Sequence, residues 1–365
     1  MANDQVHDTR TTVAEDRVAA AVSLSVAGIS DSNAGALVVF DFNAGDTVDS
    51  ATTNDIGFYF SGGTGRPTVT APNGSSGLRF GFGPDEPEED SMQELRYELN
   101  GGYFETYEKI SLYIPANYVH RYLTFMKINL SEDVSGWEIG DAMLGSNNSS
   151  TAEIYALDLD YVGDDGPEQR VYLQYTENFN LWSTWGQGNT VTNTTKNQAV
   201  VSDRSSFLTS NNKFSIQWQG TYQGGGGAML YETQGPNPTT RPTFNFQYFS
   251  GDSPSKSNIG GQVPGTSHIS LEDLGQNVDY IIHRKRSSAL TPLDGETRVW
   301  KRRNGEVYTL VFEATELGPY FAADNNFERG YLLGWANSGF RERTEILLRG
   351  YSFYGANRPL ELGDL

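Results

Sequence analysis

The sequence predicts an all-β fold, an antiparallel two-sheet jelly-roll sandwich preceded by an N-terminal arm, and three observations predict it. About fourteen short runs rich in Val, Ile, Leu, Phe, Tyr and Trp recur along the chain, each bounded by Gly, Asn, Thr or Pro clusters. No long segment with a 3.6-residue apolar period interrupts them. The 365 residues include 20 Tyr, 19 Phe and 6 Trp, which pack well on pleated sheets even though the hydrophobic fraction is only 37%. Neither an internal repeat nor a linker is visible, so one sandwich is expected over 36–357, with an arm over 1–35 and a tail over 358–365.

In chain order, Thr12-Val13-Ala14-Glu15 has capping-box spacing ahead of an Ala- and Val-rich stretch. That segment has too little apolar surface to fold alone, so it reads as an attachment arm or else as a frayed terminus. Strands are then expected at 37–42, 57–60, 77–82, 94–99 and 107–115, with an acidic loop at 85–90. Further strands are expected at 123–129, 170–175, 213–219, 228–233, 243–249, 279–283, 297–301 and 307–312, the last two turning at Asn304-Gly305, a strong hairpin signal. The polar stretch 176–210, with Trp182 and Trp185, reads as a long surface loop. Near the end, 330–340 and 344–354 read as two strands joined by a turn, with Gly330 and Gly334 leaving room for a close neighbour.

Composition narrows the function. A formal net charge of −20 disfavours nucleic acid and anionic membranes as partners. No apolar run approaches the ~18 residues of a membrane-spanning helix. Residues 1–8 carry neither a basic nor an apolar signal region, so synthesis in a cytoplasm without a signal peptide is expected. With no cysteine, disulfides and thiolate metal sites are excluded.

Three features are candidates for a site. First, Lys213, Ser215, Gln217 and Gln219 alternate with Phe214, Ile216 and Trp218, while Glu232 on one strand and Asn245 and Gln247 on another alternate with apolar or aromatic neighbours. One wet face is expected, and with Arg96, Glu98 and Trp335 it would form a groove of amides, charges and rings suited to glycans, unless it is only the solvated side of a sheet. Second, His283, Arg284, Lys285, Arg286, Arg298, Lys301, Arg302 and Arg303 concentrate basic charge that would suit an anionic polysaccharide or an acidic subunit, or else form a solvated strand face. Third, Asp158 to Gly166 is oxygen-rich enough for Ca²⁺, although its spacing is not that of an EF-hand and an acidic turn accounts for it better. No other cofactor is expected. A nucleophile elbow, a phosphate loop and a His-Glu-x-x-His motif are all absent from the sequence.

Five segments in the same order carry a resemblance: Glu94 to Leu99, Ser111 to His120, Asn211 to Phe214, Leu293 to Trp300 and Gly330 to Asn337. Together they resemble polysaccharide-lyase-like proteins of the concanavalin A-like jelly-roll superfamily, of the kind also encoded by tailed phages. In active members the family places an Arg, a Gln-x-His pair and a Tyr with a Lys on three strands. Arg96 and Gln217 match the first two positions and Tyr331 matches the tyrosine, but Gln219 stands at the His position and Leu333 at the Lys position. An amide is no base at neutral pH, which leaves His120 as the substitute for β-elimination. The resemblance therefore implies a non-enzymatic virion surface protein, such as a head decoration, fibre or tail-surface component. It would hold capsid or tail subunits through its arm, bind a cell-surface or environmental polysaccharide and form a homo-oligomer. The alternatives are an active lyase on an acidic polysaccharide and a free lectin-like module.

Overall fold

Most of the apolar runs become strands, and the partners they find decide which layer each joins. In the computed structural model the described residues are 38–41, 56–60, 68–82, 91–92, 94–118, 123–147, 149–163, 166–177, 185, 187–207, 211–220, 227–233, 243–250, 253–288, 293–317, 326–336, 340 and 343–356. The arm over 1–35, the acidic loop and the tail over 358–365 lie outside them. The first strands are β1 (Val38–Asp41), β2 (Ile56–Phe60), β3 (Thr68–Thr70), β4 (Ser76–Phe82), β5 (Ser91–Met92), β6 (Leu95–Tyr103) and β7 (Glu105–Ile114). Next come β8 (Leu123–Ile128), β9 (Ala142–Leu144), β10 (Thr151–Gly163), β11 (Gly166–Glu177), β12 (Thr190–Asn193) and β13 (Gln198–Phe207). They are followed by β14 (Asn211–Trp218), β15 (Gly227–Thr233), β16 (Thr243–Ser250), β17 (Ser253–Ile259) and a 3₁₀ turn at Leu271–Asp273. The last are β18 (Gln276–Lys285), β19 (Gly295–Arg303), β20 (Thr309–Leu317), β21 (Phe327–Leu332), β22 (Trp335–Ala336) and β23 (Thr344–Ala356).

These strands form the expected antiparallel jelly-roll sandwich. An eight-stranded sheet runs β20-β19-β18-β7-β23-β4-β3, with β1 also on β23. A nine-stranded sheet runs β17-β16-β15-β14-β21-β6-β2, with β22 on β14 and β5 on β22. The chain crosses repeatedly between the layers, from β6 to β7 and from β17 to β18. The core between them takes Phe80, Ile110, Leu112, Tyr280, Ile282, Leu348 and Phe353 from one sheet and Leu95, Phe214, Leu230, Phe244, Phe246 and Leu332 from the other. Period-two alternation explains the choice: Ile110, Leu112 and Ile114 of β7 face inward while Lys109 and Ser111 do not.

Three expectations need correcting. The two terminal runs are not a hairpin, since β21 pairs with β14 and β6 in one sheet and β23 with β7 and β4 in the other. The polar stretch over 176–210 is not a loop throughout: β12 and β13 join β8 to β11 in a closed barrel, β10-β11-β8-β13-β12-β9. This barrel, within the span expected for one sandwich, has its own core of Met126, Ile128, Ile154, Val171, Leu173, Val191, Val200, Trp137 and Trp185. Two valines and one indole supply the inward residues of that polar stretch, which leaves little apolar signal in the sequence. Finally, Asp158 to Val162 lie on β10 rather than in the acidic turn expected from Asp158 to Gly166, and three register shifts in the pairing of β10 with β11 break the alternation of that strand.

Two local expectations hold. Asn304 and Gly305 have φ of 47° and 80°, the positive pair that a type I′ turn requires, and the Glu306 amide donates to the Arg303 carbonyl at 2.9 Å. Gly330 and Gly334 do permit close approach. A Cβ on Gly330 would sit 2.3 Å from the Tyr97 hydroxyl and 2.6 Å from the Ile216 carbonyl, and one on Gly334 would sit 2.5 Å from the Tyr331 ring. Gly330→Ala is therefore expected to lower stability by about 1–3 kcal/mol in urea unfolding, as overpacking does. Gly136→Ala, where a Cβ meets nothing within 4 Å, should stay within about 0.5 kcal/mol of the parent. Equal effects of the two changes would contradict this packing.

Candidate functional site

The site turns on which way β14 faces. Lys213 pairs with Tyr231 but Ser215 pairs with Leu230, so the ladder gains one residue between them. A bulge of this kind reverses the phase of every side chain beyond it. Phe214 lies in the core, and past the bulge Ser215 and Gln217 also point inward while Ile216 and Trp218 point out. The expected wet face of β14 is thus inverted from Ser215 onward, and Gln217 is buried between the sheets.

What draws Ser215 and Gln217 inward is a buried charge. Glu108 of β7 and Arg284 of β18 are both fully buried and meet at 2.5 Å. The Glu108 carboxylate also accepts hydrogen bonds from Tyr97 at 2.5 Å, Tyr351 at 2.9 Å and Ser215 at 2.7 Å. Gln217 donates to the Tyr97 oxygen at 3.2 Å and accepts from Thr106 at 2.8 Å. Burial, reinforced by the Glu108 charge, lifts the Tyr97 and Tyr351 phenols well above their ordinary range, so both stay protonated donors. These groups hold the two sheets together and leave Gln217 no route to a ligand. Sequence alternation along β7 already put Glu108 at an inward position, and a charge there was the available signal.

Glu232 is likewise not on a groove. Its side chain points inward, accepting from Tyr118 at 2.6 Å and Asn212 at 2.7 Å, with His268 at 3.0 Å. The cleft bordered by Glu232, Tyr118, Asn212, Lys213, Gly334 and Phe340 encloses about 20 Å³, room for roughly one water and no sugar. Leu333, also beside it, has φ of 49° and a buried side chain that faces the core.

The outer face of the nine-stranded sheet gathers most of the remaining candidates. One row across it reads Arg96, Tyr331, Ile216, Met229 and Gln247, each paired to the next. A neighbouring row pairs Glu98 with Arg329 and Arg329 with Trp218; another pairs Lys213 with Tyr231 and Tyr231 with Asn245. The middle is a packed apolar floor of Ile216, Trp218, Met229, Tyr231 and Tyr331, with Trp218 edge-on to Tyr331 at 5.9 Å. Around it stand Arg96, Lys213, Asn245 and Gln247, all half-buried, with Glu98 exposed. Arg96 is held by Glu94 at 2.5 Å, Gln219 donates to Glu328 at 3.3 Å, and Arg329 lies 3.4 Å from Glu98. Arg329 was not singled out by the sequence; its register opposite Glu98 is what places it here. The Trp335 backbone pairs with Met92, but its side chain lies outside the described residues, as does His120.

No histidine among the described residues reaches this face. His268 is interior, and His283 sits on the outer side of the other sheet, 2.7 Å from Glu105 and stacked on Tyr107 at 4.3 Å. The rest of the basic cluster is spent locally. Arg284 serves Glu108, Arg298 meets Glu296 at 2.7 Å and Glu313 at 2.8 Å, and Lys301, Arg302 and Arg303 each find a carboxylate at 2.8 Å. Arg286 lies over the Phe104 ring. The expected anion-binding patch is therefore largely self-neutralised. Asp158 and Asp160 lie on β10, and Asp164 and Asp165 lie outside the described residues, among which no group of three or more His, Asp or Glu is placed to hold a metal ion.

No family model matches the chain, and no curated protein does. Solved structures similar to it include a variant of alginate lyase Aly36B in complex with alginate trisaccharide, at 10% identity and TM-score 0.38, covering 82% of this chain and 98% of that one. The Ca²⁺/Man3GlcNAc-bound VIP36 exoplasmic/lumenal domain is similar at 8% identity and TM-score 0.33, covering 86% and 88%. A Lotus tetragonolobus seed lectin is similar at 8% identity and TM-score 0.30, covering 88% and 100%.

One pair in the basic cluster has a readable pH signature. Burial works against ionising Asp273, but the Lys301 ammonium and hydrogen bonds from Ser270 outweigh it and hold the carboxyl below its ordinary value. A carboxyl whose folded pKa is depressed adds stability that is fully present above its unfolded value of ~3.9 and is lost as pH falls through the folded value. Asp273→Asn should therefore melt below the parent at neutral pH, and the gap should close as pH drops below about 4. A gap in Tm that stays constant across that range would refute the assignment.

Proposed function

We propose that this chain is a glycan-binding sandwich without bond-cleaving activity, and that its contact surface is the outer face of the nine-stranded sheet. The observation that carries this reading is the composition of that face: a buried apolar cluster ringed by the half-buried guanidinium of Arg96, the ammonium of Lys213 and the amides of Asn245 and Gln247. Sugars offer hydroxyls to amides and charges. Elimination from a uronate needs a base at the C5 proton as well as a group that neutralises the carboxylate. On the strand where the family carries its imidazole, the outward positions here are Ile216 and Trp218. Neither can take a proton.

The same proposal carries the chain on a virion surface, held through 1–35, whose Ala- and Val-rich sequence lacks the apolar surface to fold unaided. Deleting 2–35 should then abolish association with particles and leave glycan binding intact. The runner-up is a lyase, favoured by one observation: Arg96 and Tyr331 are cross-strand partners, which would set a guanidinium beside a phenol as a uronate site needs.

Incubation with alginate and other uronate polymers, followed by absorbance of the unsaturated product, separates the two. No product is expected. Turnover that Arg96→Ala or Tyr331→Phe abolishes would overturn the non-enzymatic reading. On a saccharide array, Gln247→Ala and Asn245→Ala should weaken binding by about ten-fold each, the equivalent of a lost hydrogen bond or two. Unchanged binding in both would remove the face from consideration.

A further inference from the structure

The barrel carries a depression that the sandwich site does not use. Lys127, Asn129, Leu130, Pro167, Glu168, Gln187 and Asp203 line it, and its volume is about 380 Å³, within the range of small-ligand sites. Its floor is organised. Glu168 is engaged by Lys127 and, at 2.7 Å, by Arg170, whose guanidinium lies 3.4 Å over the Tyr161 ring. Burial opposes ionisation of Glu168, but its two cationic partners outweigh it and keep the carboxyl below its ordinary range. Floor and partners are thus locked in place before any ligand arrives.

The rim comes from a device that re-aims one side chain. Ser202 pairs with Ile128 and Arg204 with Lys127, so Asp203 is the extra residue of a bulge in β13. Gln187 is brought beside it by the bond from the Gly188 amide to the Ser202 carbonyl, at 2.7 Å. No hydrogen bond or ion pair among the described residues engages the Asp203 carboxylate or the Gln187 amide. Leu130, 58% exposed, and Pro167 give the rim an apolar edge.

We propose that this depression is a second saccharide-binding site, which takes a neutral sugar unit. Lys127 and Arg170 neutralise Glu168, and the remaining carboxylate of Asp203 disfavours an anionic ligand. A carboxylate and an amide side by side suit a vicinal pair of hydroxyls, one group accepting and the other both donating and accepting. The largely polar lining disfavours an apolar ligand. Such a site would act independently of the sheet face, and two separate sites on one chain would raise avidity for a long polysaccharide.

The test uses the full chain and titration calorimetry with neutral probes (maltose, cellobiose and chitobiose) alongside an alginate trisaccharide. Binding of at least one neutral probe is expected, weakened about ten-fold or more by Asp203→Ala and by Gln187→Ala, which should leave binding of the alginate trisaccharide unchanged. Both rim residues are exposed, so their variants keep the fold. If no neutral probe binds, or if the rim variants bind as the parent does, the barrel site is refuted. Loss of neutral-sugar binding in Gln247→Ala alone would refute it too, while leaving the sheet-face proposal standing.

Discussion

The interior carboxylate of Glu108 is the group on which the rest of the sandwich depends. It is wholly removed from water, where an unpaired charge is untenable, so the surrounding structure must supply a cation and donors from several strands at once. Arg284 of β18 and Tyr351 of β23 come from its own sheet, while Tyr97 of β6 and Ser215 of β14 come from the opposite one. Apolar packing alone tolerates small slips between layers. A carboxylate that needs four partners at 2.5–2.9 Å does not.

The consequence reaches the outer surface. Because Ser215 and Gln217 are drawn into this network, β14 bulges, and Ile216 and Trp218 are turned outward to build an apolar floor with Tyr331. The outward positions of this strand past the bulge are thus held by Ile216 and Trp218, both buried in the apolar cluster with Tyr331. The inner network and the outer face are two sides of one strand, and the bulge between 213 and 215 is where they were traded.

Much of this was legible from residue order, and what was missed was missed for identifiable reasons. The strands of the sandwich announce themselves by period-two alternation, and on β16 Asn245 and Gln247 do lie outward of Phe244 and Phe246. On β14 the same rule failed past a bulge, which leaves no mark in the sequence when no glycine is needed. The basic cluster misled because the carboxylates that neutralise it, among them Glu108, Asp273 and Glu313, come from elsewhere in the chain, and separation in sequence hides such pairs. In the barrel the stretch over 176–210 adds only Trp185, Val191 and Val200 to the core, and the β10 bulges scramble the spacing of another strand. The Arg96–Tyr331 pairing, by contrast, was visible in outline, since both residues sit in segments whose strand character is unambiguous.

A thermodynamic cycle over Glu108→Gln and Arg284→Met, measured by urea unfolding, tests the central claim most directly. Breaking a buried pair from either side is expected to cost about 3–5 kcal/mol, and the double variant should cost well under the sum of the two. Additive losses would show that the two side chains stabilise the protein separately, and the interior charge could then no longer be what aligns the sheets.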